Sequence, residues 1–317
     1  MTYNIIGVGS NAKTIKGDGS EYLTAITYLK PYKTVIEDVT HNICAMAETA
    51  SCHVGCLYSA GRGQMTNVQT ARLRKTRLWI QDKQSYLDLL RKDLTTFQRR
   101  CELNNVQACY RPNGTSDIQW ENYGIIEEFP DIQFYDYTKI IKRVYKKQPK
   151  NYHLTLSYSE ANRKYADDVM SAVCDTGVNM AVVFRDEDSI PDYFERIYYN
   201  GRGRYGFRTF SMDKDDLRFL DPQGMAGALY AKGQAKTDTS GFVIDYDEGS
   251  KYIASGNVVC RKDTVMKKKI KQGLVNPVAK AMLQNRKSPQ VVAPKRGKGA
   301  KYNRGVSKQN AIRNEEF

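Results

Sequence analysis

Apolar and polar positions alternate with two different periods along the first 260 residues. Residues 21–31, "EYLTAITYLKP", alternate apolar with polar residues and are rich in Tyr, Thr and Ile, which predicts a strand stopped by Pro31. Between about residues 67 and 104 the period becomes helical. Val68, Leu73, Leu78, Tyr86, Leu87, Leu89, Leu90, Leu94 and Phe97 recur with Lys and Arg between them, and Asp82 is placed to start a second helix. Short apolar segments then begin at Val106, Ile132, Tyr152, Met180 and Met225, each running into polar residues, with helical spacing over residues 160–175.

Strands alternating with helices predict βα units and a mainly parallel sheet. A strand, a cysteine loop, a long helix and a second strand make the opening of a (β/α) barrel. The expected fold is therefore α/β and barrel-like, complete or partial, with polar residues gathered at the C-terminal ends of the strands. Three regions follow: a flexible arm over residues 1–20, the barrel-like domain over 21–260, and a basic, largely disordered tail over 261–317.

Net charge sharpens that division. The chain of 317 residues carries +14, but residues 261–317 hold 16 Lys and Arg against 3 Asp and Glu. The body is thus nearly neutral and the tail strongly basic. Lys267, Lys268, Lys269, Lys271, Lys295, Arg296 and Lys298 would meet a polyanion, of which nucleic acid is the expected one, through salt-sensitive phosphate contacts. A solubilising tail would have the same composition. No apolar run approaches the length of a membrane span, and the N-terminus lacks the basic region of a secretory signal. The expectation is a cytoplasmic protein without a membrane partner, in which clustered cysteines serve metal or redox chemistry rather than disulfides.

Cys44, Cys52 and Cys56 are spaced C-x7-C-x3-C, with His41 and His53 beside them. Three thiolates and a histidine would suit a structural zinc ion. Three thiolates alone would suit a [4Fe–4S] cluster with one open iron. Three ordinary thiols in a loop are the remaining reading. Arg62, between Gly61 and Gly63, is placed to receive an anion ahead of the helix. Arg72, Arg74, Lys75 and Arg77 form either an oxyanion clamp or a solvated face. Asn113, Gly114, Thr115, Ser116 and Asp117 would hold a small anionic or zwitterionic ligand, or simply build a turn and a helix cap. Neither a Gly-x-Ser-x-Gly elbow nor a His-Glu-x-x-His helix is present, so hydrolase and zinc-protease chemistry have no support.

Several of these stretches together resemble the bacteriophage gene product 88 family. They are Ala-Gly-Arg-Gly after Cys56, Val-Gln-x-Ala-Arg-x-Arg-Lys-Thr from Val68, Asn-Gly-Thr-Ser-Asp-Ile from Asn113, Phe-Tyr-Asp-Tyr-Thr-Lys from Phe134, and "DLRFLDPQGMAGALYAKGQA" with "DTSGFV". The resemblance implies a phage protein in the host cell cytoplasm. In architecture the chain is also similar to radical S-adenosylmethionine enzymes, whose usual spacing is C-x3-C-x2-C. That similarity implies Cys44, Cys52 and Cys56 as cluster ligands. It further implies S-adenosylmethionine at the open iron, residues 113–117 beside its amino group, and a nucleotide or nucleic-acid-linked substrate. The alternative is a non-enzymatic nucleic-acid-binding protein with zinc or no metal.

Overall fold

Tyr86, Leu90, Leu94 and Phe97 lie at helical spacing and bury one stripe of a helix against a sheet. The computed structural model describes residues 4–9, 21–197, 204–246 and 258–261. The calls on residues 262–317, including every lysine and arginine assigned to nucleic acid, lie outside them.

The strands are β1 (Gly7–Val8), β2 (Tyr22–Ile26), β3 (Lys33–Ile36), β4 (Val39–Asn42), β5 (Gln107–Arg111), β6 (Gln133–Thr138), β7 (Tyr152–Ser157), β8 (Met180–Phe184), β9 (Tyr193–Ile197), β10 (Arg204–Ser211), β11 (Ala226–Tyr230), β12 (Val243–Ile244) and β13 (Val258–Arg261). The helices are α1 (Thr66–Gln81), α2 (Lys83–Leu103), α3 (Ile125–Glu128), α4 (Lys142–Tyr145) and α5 (Arg163–Thr176).

One sheet has the order β1-β2-β5-β6-β7-β8-β11-β10-β13, with β12 beside β8 and β9 beside β10. From β2 to β8 the parallel strands are added in chain order, as in a (β/α) barrel. Among the described residues the sheet does not close. Antiparallel β1 caps the β2 edge, and β9 and β13 flank β10 at the other end. The fold is a mixed α/β structure with a mostly parallel central sheet. The sequence left open whether the barrel-like fold is complete or partial; among the described residues no closed barrel forms.

Local chemistry explains the helix boundaries. The Asp82 side chain accepts the Ser85 backbone N–H at 3.0 Å, so the periodic stretch breaks into α1 and α2 there. Asn162 caps α5 by accepting the Tyr165 N–H at 3.0 Å, and Gly177 ends it in the left-handed region at φ 78°. Helix α2 packs on Ala25, Ala108, Tyr110 and Phe134, joined by Trp79 and Trp120. Val169, Met170 and Val173 of α5 pack on Leu156, Met180, Val182 and Ala228. Each fully buried large side chain contributes about 1.5–3 kcal/mol.

The loop after β10 returns along the opposite face. Phe219 meets Tyr22 and Tyr135 at ring-centroid distances of 5.5 and 5.8 Å. Asp216 accepts from Arg111 Nη1 at 3.0 Å and from the Tyr135 hydroxyl at 3.2 Å. Of the arm over residues 1–20 the structure describes 4–9, where Ile5 is fully buried and its N–H donates to Asp93 at 2.5 Å. Cys174 is disulfide-bonded.

Candidate functional site: the cysteine loop

The site forms where β2 delivers the chain to the C-terminal rim of the sheet. Residues 27–32 lead into the antiparallel hairpin β3–β4, and Cys44 follows β4. The Asn42 side chain accepts the Cys44 N–H at 2.8 Å, which turns the chain inward. Cys44 Sγ then receives the Tyr32 N–H at 3.4 Å and lies 3.7 Å from the Thr115 carbonyl. Cys52 Sγ points to the Ala47 carbonyl at 3.9 Å. Ser159 Oγ, beyond β7, donates to the Ala50 carbonyl at 2.8 Å, so the cysteine loop bridges several strand ends.

All three cysteines lie outside disulfides and are half-buried. Burial pushes the Cys44 thiol up to about 12, and Cys52, Asp117 and Cys56 add to the shift. Burial likewise raises Cys56, with Cys52 adding to the effect while Lys139 and Arg72 oppose it. The three sulfurs therefore stand within electrostatic reach of one another. Among the described residues, however, no group of three or more His, Cys, Asp or Glu side chains surrounds a point where one metal ion would sit. The His53 ring stacks on Tyr32 at 4.9 Å, and its Nδ1 lies 3.0 Å from the Ala47 carbonyl, the oxygen that Cys52 Sγ also approaches.

Residues 113–117 come directly under the cysteine segment, but their side chains are engaged in building the loop. Asn113 Oδ1 accepts from Ser116 Oγ, the Ile118 N–H and Trp120 Nε1 at 2.8, 3.0 and 3.2 Å. Its Nδ2 donates to the Ile118 carbonyl at 2.8 Å and to Asp136 Oδ2 at 2.9 Å. Thr115 Oγ1 donates to the Leu29 carbonyl at 2.5 Å. A Cβ on Gly114 would fall 2.6 Å from the Thr27 carbonyl oxygen and 2.7 Å from the Tyr28 ring, so only glycine fits that crossing. Asp117 accepts from Thr138 Oγ1, the Lys139 N–H and Arg143 Nη1 at 2.8, 2.8 and 3.0 Å. What this loop presents is backbone held in place, with Gly114, Ser116 and Asp117 half-exposed.

The basic crowd on α1 divides. Arg62, on the short 3-10 turn Gly61–Gln64, is exposed, as are Arg74 and Arg77. Arg72 turns inward with Thr76 and Trp79, at positions i, i+4 and i+7 of α1. Its guanidinium lies 4.8 Å from the Tyr28 ring centroid and 5.3 Å from that of Tyr58. The sequence named Arg72 only as one of four cations; the buried spacing it shares with Thr76 and Trp79 was the signal separating it from them. Lys139, which sequence reasoning missed as a site residue, extends from the end of β6 and donates to Ser157 Oγ at 2.8 Å. Its place immediately after a polar strand end was the available sign.

No helix among the described residues is long and apolar enough to cross a membrane. No curated protein and no solved structure matches the chain. The model of the gene product 88 family matches residues 6–246, a span that contains the parallel strands from β2 to β11, the cysteine loop and the 113–117 loop. With three quarters of its length matched, the chain belongs to the phage gene product 88 family.

Proposed function

We propose that the chain is an iron–sulfur enzyme that uses S-adenosylmethionine in radical chemistry on a nucleotide or nucleic-acid-linked substrate. Cys44, Cys52 and Cys56 hold three corners of a [4Fe–4S] cluster in this reading. The observation that carries it is three cysteines outside disulfides, on the loop that follows the first parallel strand of an in-order sheet. A cubane is gripped at separate corners, so its thiolates stand farther apart than the ligands of a single zinc ion. When bound, such a cluster supplies the electron for cleavage of the sulfonium. The chain's own part is to orient and to shield. Thr115 and Tyr32 fix Cys44. Arg72 and Lys139 bring positive charge near Cys56, and the 113–117 loop sets backbone beside Cys44.

Anaerobic purification tests the proposal through metal content and the visible spectrum. Several irons per chain and absorption near ~400 nm are expected, lost on Cys44→Ala, Cys52→Ala or Cys56→Ala. A colourless protein with about one zinc per chain would overturn it and leave a structural clamp.

A further inference from the structure

Side chains alternate along β5 and β6, and Tyr110 and Phe134 pack toward α2, so Arg111, Tyr135 and Tyr137 stand on the opposite face of the sheet. There, three donors from two neighbouring strands meet on one anion. Arg111 Nη1 and the hydroxyls of Tyr135 and Tyr137 donate to the Asp216 carboxylate at 3.0, 3.2 and 3.4 Å. The Arg111 guanidinium lies 4.5 Å from the Tyr137 ring centroid, which fixes its plane. Asp216 uses only part of this seat. It engages one nitrogen of the guanidinium fork, and Nε is buried without an acceptor. The seat is also open on one side: 12% of the Arg111 side chain and part of Tyr137 reach solvent at the C-terminal ends of β5 and β6.

Asp216 comes from a strap, residues 212–225, that joins parallel β10 to β11 without an α-helix. The sheet holds its two ends, while its middle rests on the face through Asp216 and Phe219. Its closure buries polar groups that stay unmatched. Arg218 is 1% exposed, yet its Nε finds no acceptor, and its Nη1 lies 3.3 Å from Asp221 Oδ2 without forming a hydrogen bond. Donors left unmade in this way oppose the closed arrangement. Lifting the middle of the strap would hydrate them and leave the pairing of β10 with β11 intact.

We propose that Arg111, Tyr135 and Tyr137 form a binding site for the carboxylate or phosphate of a small-molecule ligand, and that Asp216 is its exchangeable occupant. The ligand's oxyanion takes two nitrogens of the Arg111 fork where Asp216 takes one, and the phenols donate to it as they do to Asp216. The site stands on these donors alone and does not depend on the iron–sulfur reading.

The test uses the full chain and two probes, inorganic phosphate and acetate, each titrated against chloride at constant ionic strength. Amide hydrogen exchange is read over residues 213–221, and the melting temperature on the same samples. In wild-type protein the better probe should speed exchange in the strap, and saturably, because Asp216 is displaced. An anion bound elsewhere would slow that exchange or leave it alone. Asp216→Ala removes the competitor, so the half-saturating concentration read from the melting temperature should fall by roughly 10-fold or more. Arg111→Gln should abolish both responses, and Tyr137→Phe should weaken them. The probe that acts at the lower concentration names the ligand's group. Strap exchange in wild type that neither probe speeds overturns the site and leaves Asp216 a structural carboxylate. So does an Asp216→Ala half-point equal to that of wild type, or saturation that survives Arg111→Gln. Should Asp216→Ala fail to fold, Asp216→Asn decides by the same measure, since it keeps the size and drops the charge. Should Arg111→Gln fail to fold, responses unchanged in Tyr137→Phe overturn the site. Neither readout involves iron, so failure here leaves the cluster proposal standing.

Discussion

The Asp117 backbone N–H donates to the Ile43 carbonyl at 3.0 Å, one residue before Cys44. This bond fastens the loop after β5 to the cysteine segment. The Asp117 carboxylate faces the other way and holds Arg143, whose side chain is fully buried. Position of the first thiol and burial of a charge thus depend on one residue.

Replacing Asp117 by Ala is expected to cost about 3 kcal/mol, because it strips a buried guanidinium of one of its two carboxylates. Glu121 continues to pair with Arg143 at 2.7 Å, which keeps the loss below that of a fully orphaned charge. A urea unfolding midpoint that does not move would contradict the account.

Gly114→Ala should destabilise by roughly 1–3 kcal/mol, the range for forcing a methyl into packed backbone. The new Cβ presses on the Tyr28 ring, against which Arg72 lies, and on the Thr27 carbonyl. The unfolding midpoint checks it, and an unchanged midpoint would contradict the crossing.

Stability should fall as pH rises from about 4 to about 7. Burial raises the folded-state pKa of Asp136 to about 7, although Arg143 and its hydrogen bonds from Tyr152 and Asn113 oppose the shift. Burial raises Asp221 to about 7 as well, against Arg218. Both carboxyls ionise near 4 in the unfolded chain, so between those values the folded state binds more protons and loses stability with rising pH. Above about 7 that contribution is exhausted. Asp136→Asn and Asp221→Asn should each flatten the slope of melting temperature against pH. A slope identical to wild type in both variants would refute the assignment.

The tail carries its own prediction. Replacing Lys267, Lys268, Lys269 and Lys271 with Gln in the full chain should weaken single-stranded nucleic-acid binding at low salt. The slope of log affinity against log salt should drop by about 3, as expected for four fewer phosphate contacts. Fluorescence anisotropy across a salt series reads both quantities. An unchanged slope would remove these lysines from the interface.

The order of strands was legible because buried parallel strands must be apolar runs, and those at Val106, Ile132, Tyr152, Met180 and Met225 each became one. The break at Asp82 was legible because capping is local chemistry. The β3–β4 hairpin was not: β3 buries Thr34 and Ile36 but is only four residues long, and β4 buries none of its residues. Strands β9 and β10 escaped for a related reason: "YFERI" and "RYGFRTFS" interleave aromatics with arginines and glycine, and the pattern does not show which side is covered. In the site, the cysteines and the 113–117 loop were visible as chemistry, yet their roles were not. Asn113 and Asp117 carry the right groups for a ligand and direct them into the loop itself, which only the partners reveal. Barrel closure was unreadable because it depends on edges, not on any one strand.

The swap of β10 and β11 has a consequence for assembly of the chain during synthesis. Each parallel strand from β2 to β8 can dock on an edge already made, since its neighbour was translated before it. Strand β10 finds only β9 made before it and cannot join the sheet edge at β8, because β11 lies between them. It must wait for residues 226–230, and the connecting segment that bears Asp216 and Phe219 is drawn over the sheet face when β11 slots in. The last pieces of the parallel sheet to settle are therefore the ones that seal the face behind Arg111, well after the cysteine loop has emerged. A newly made chain would pass through a stage in which the rim is built and the face below it is still open to water.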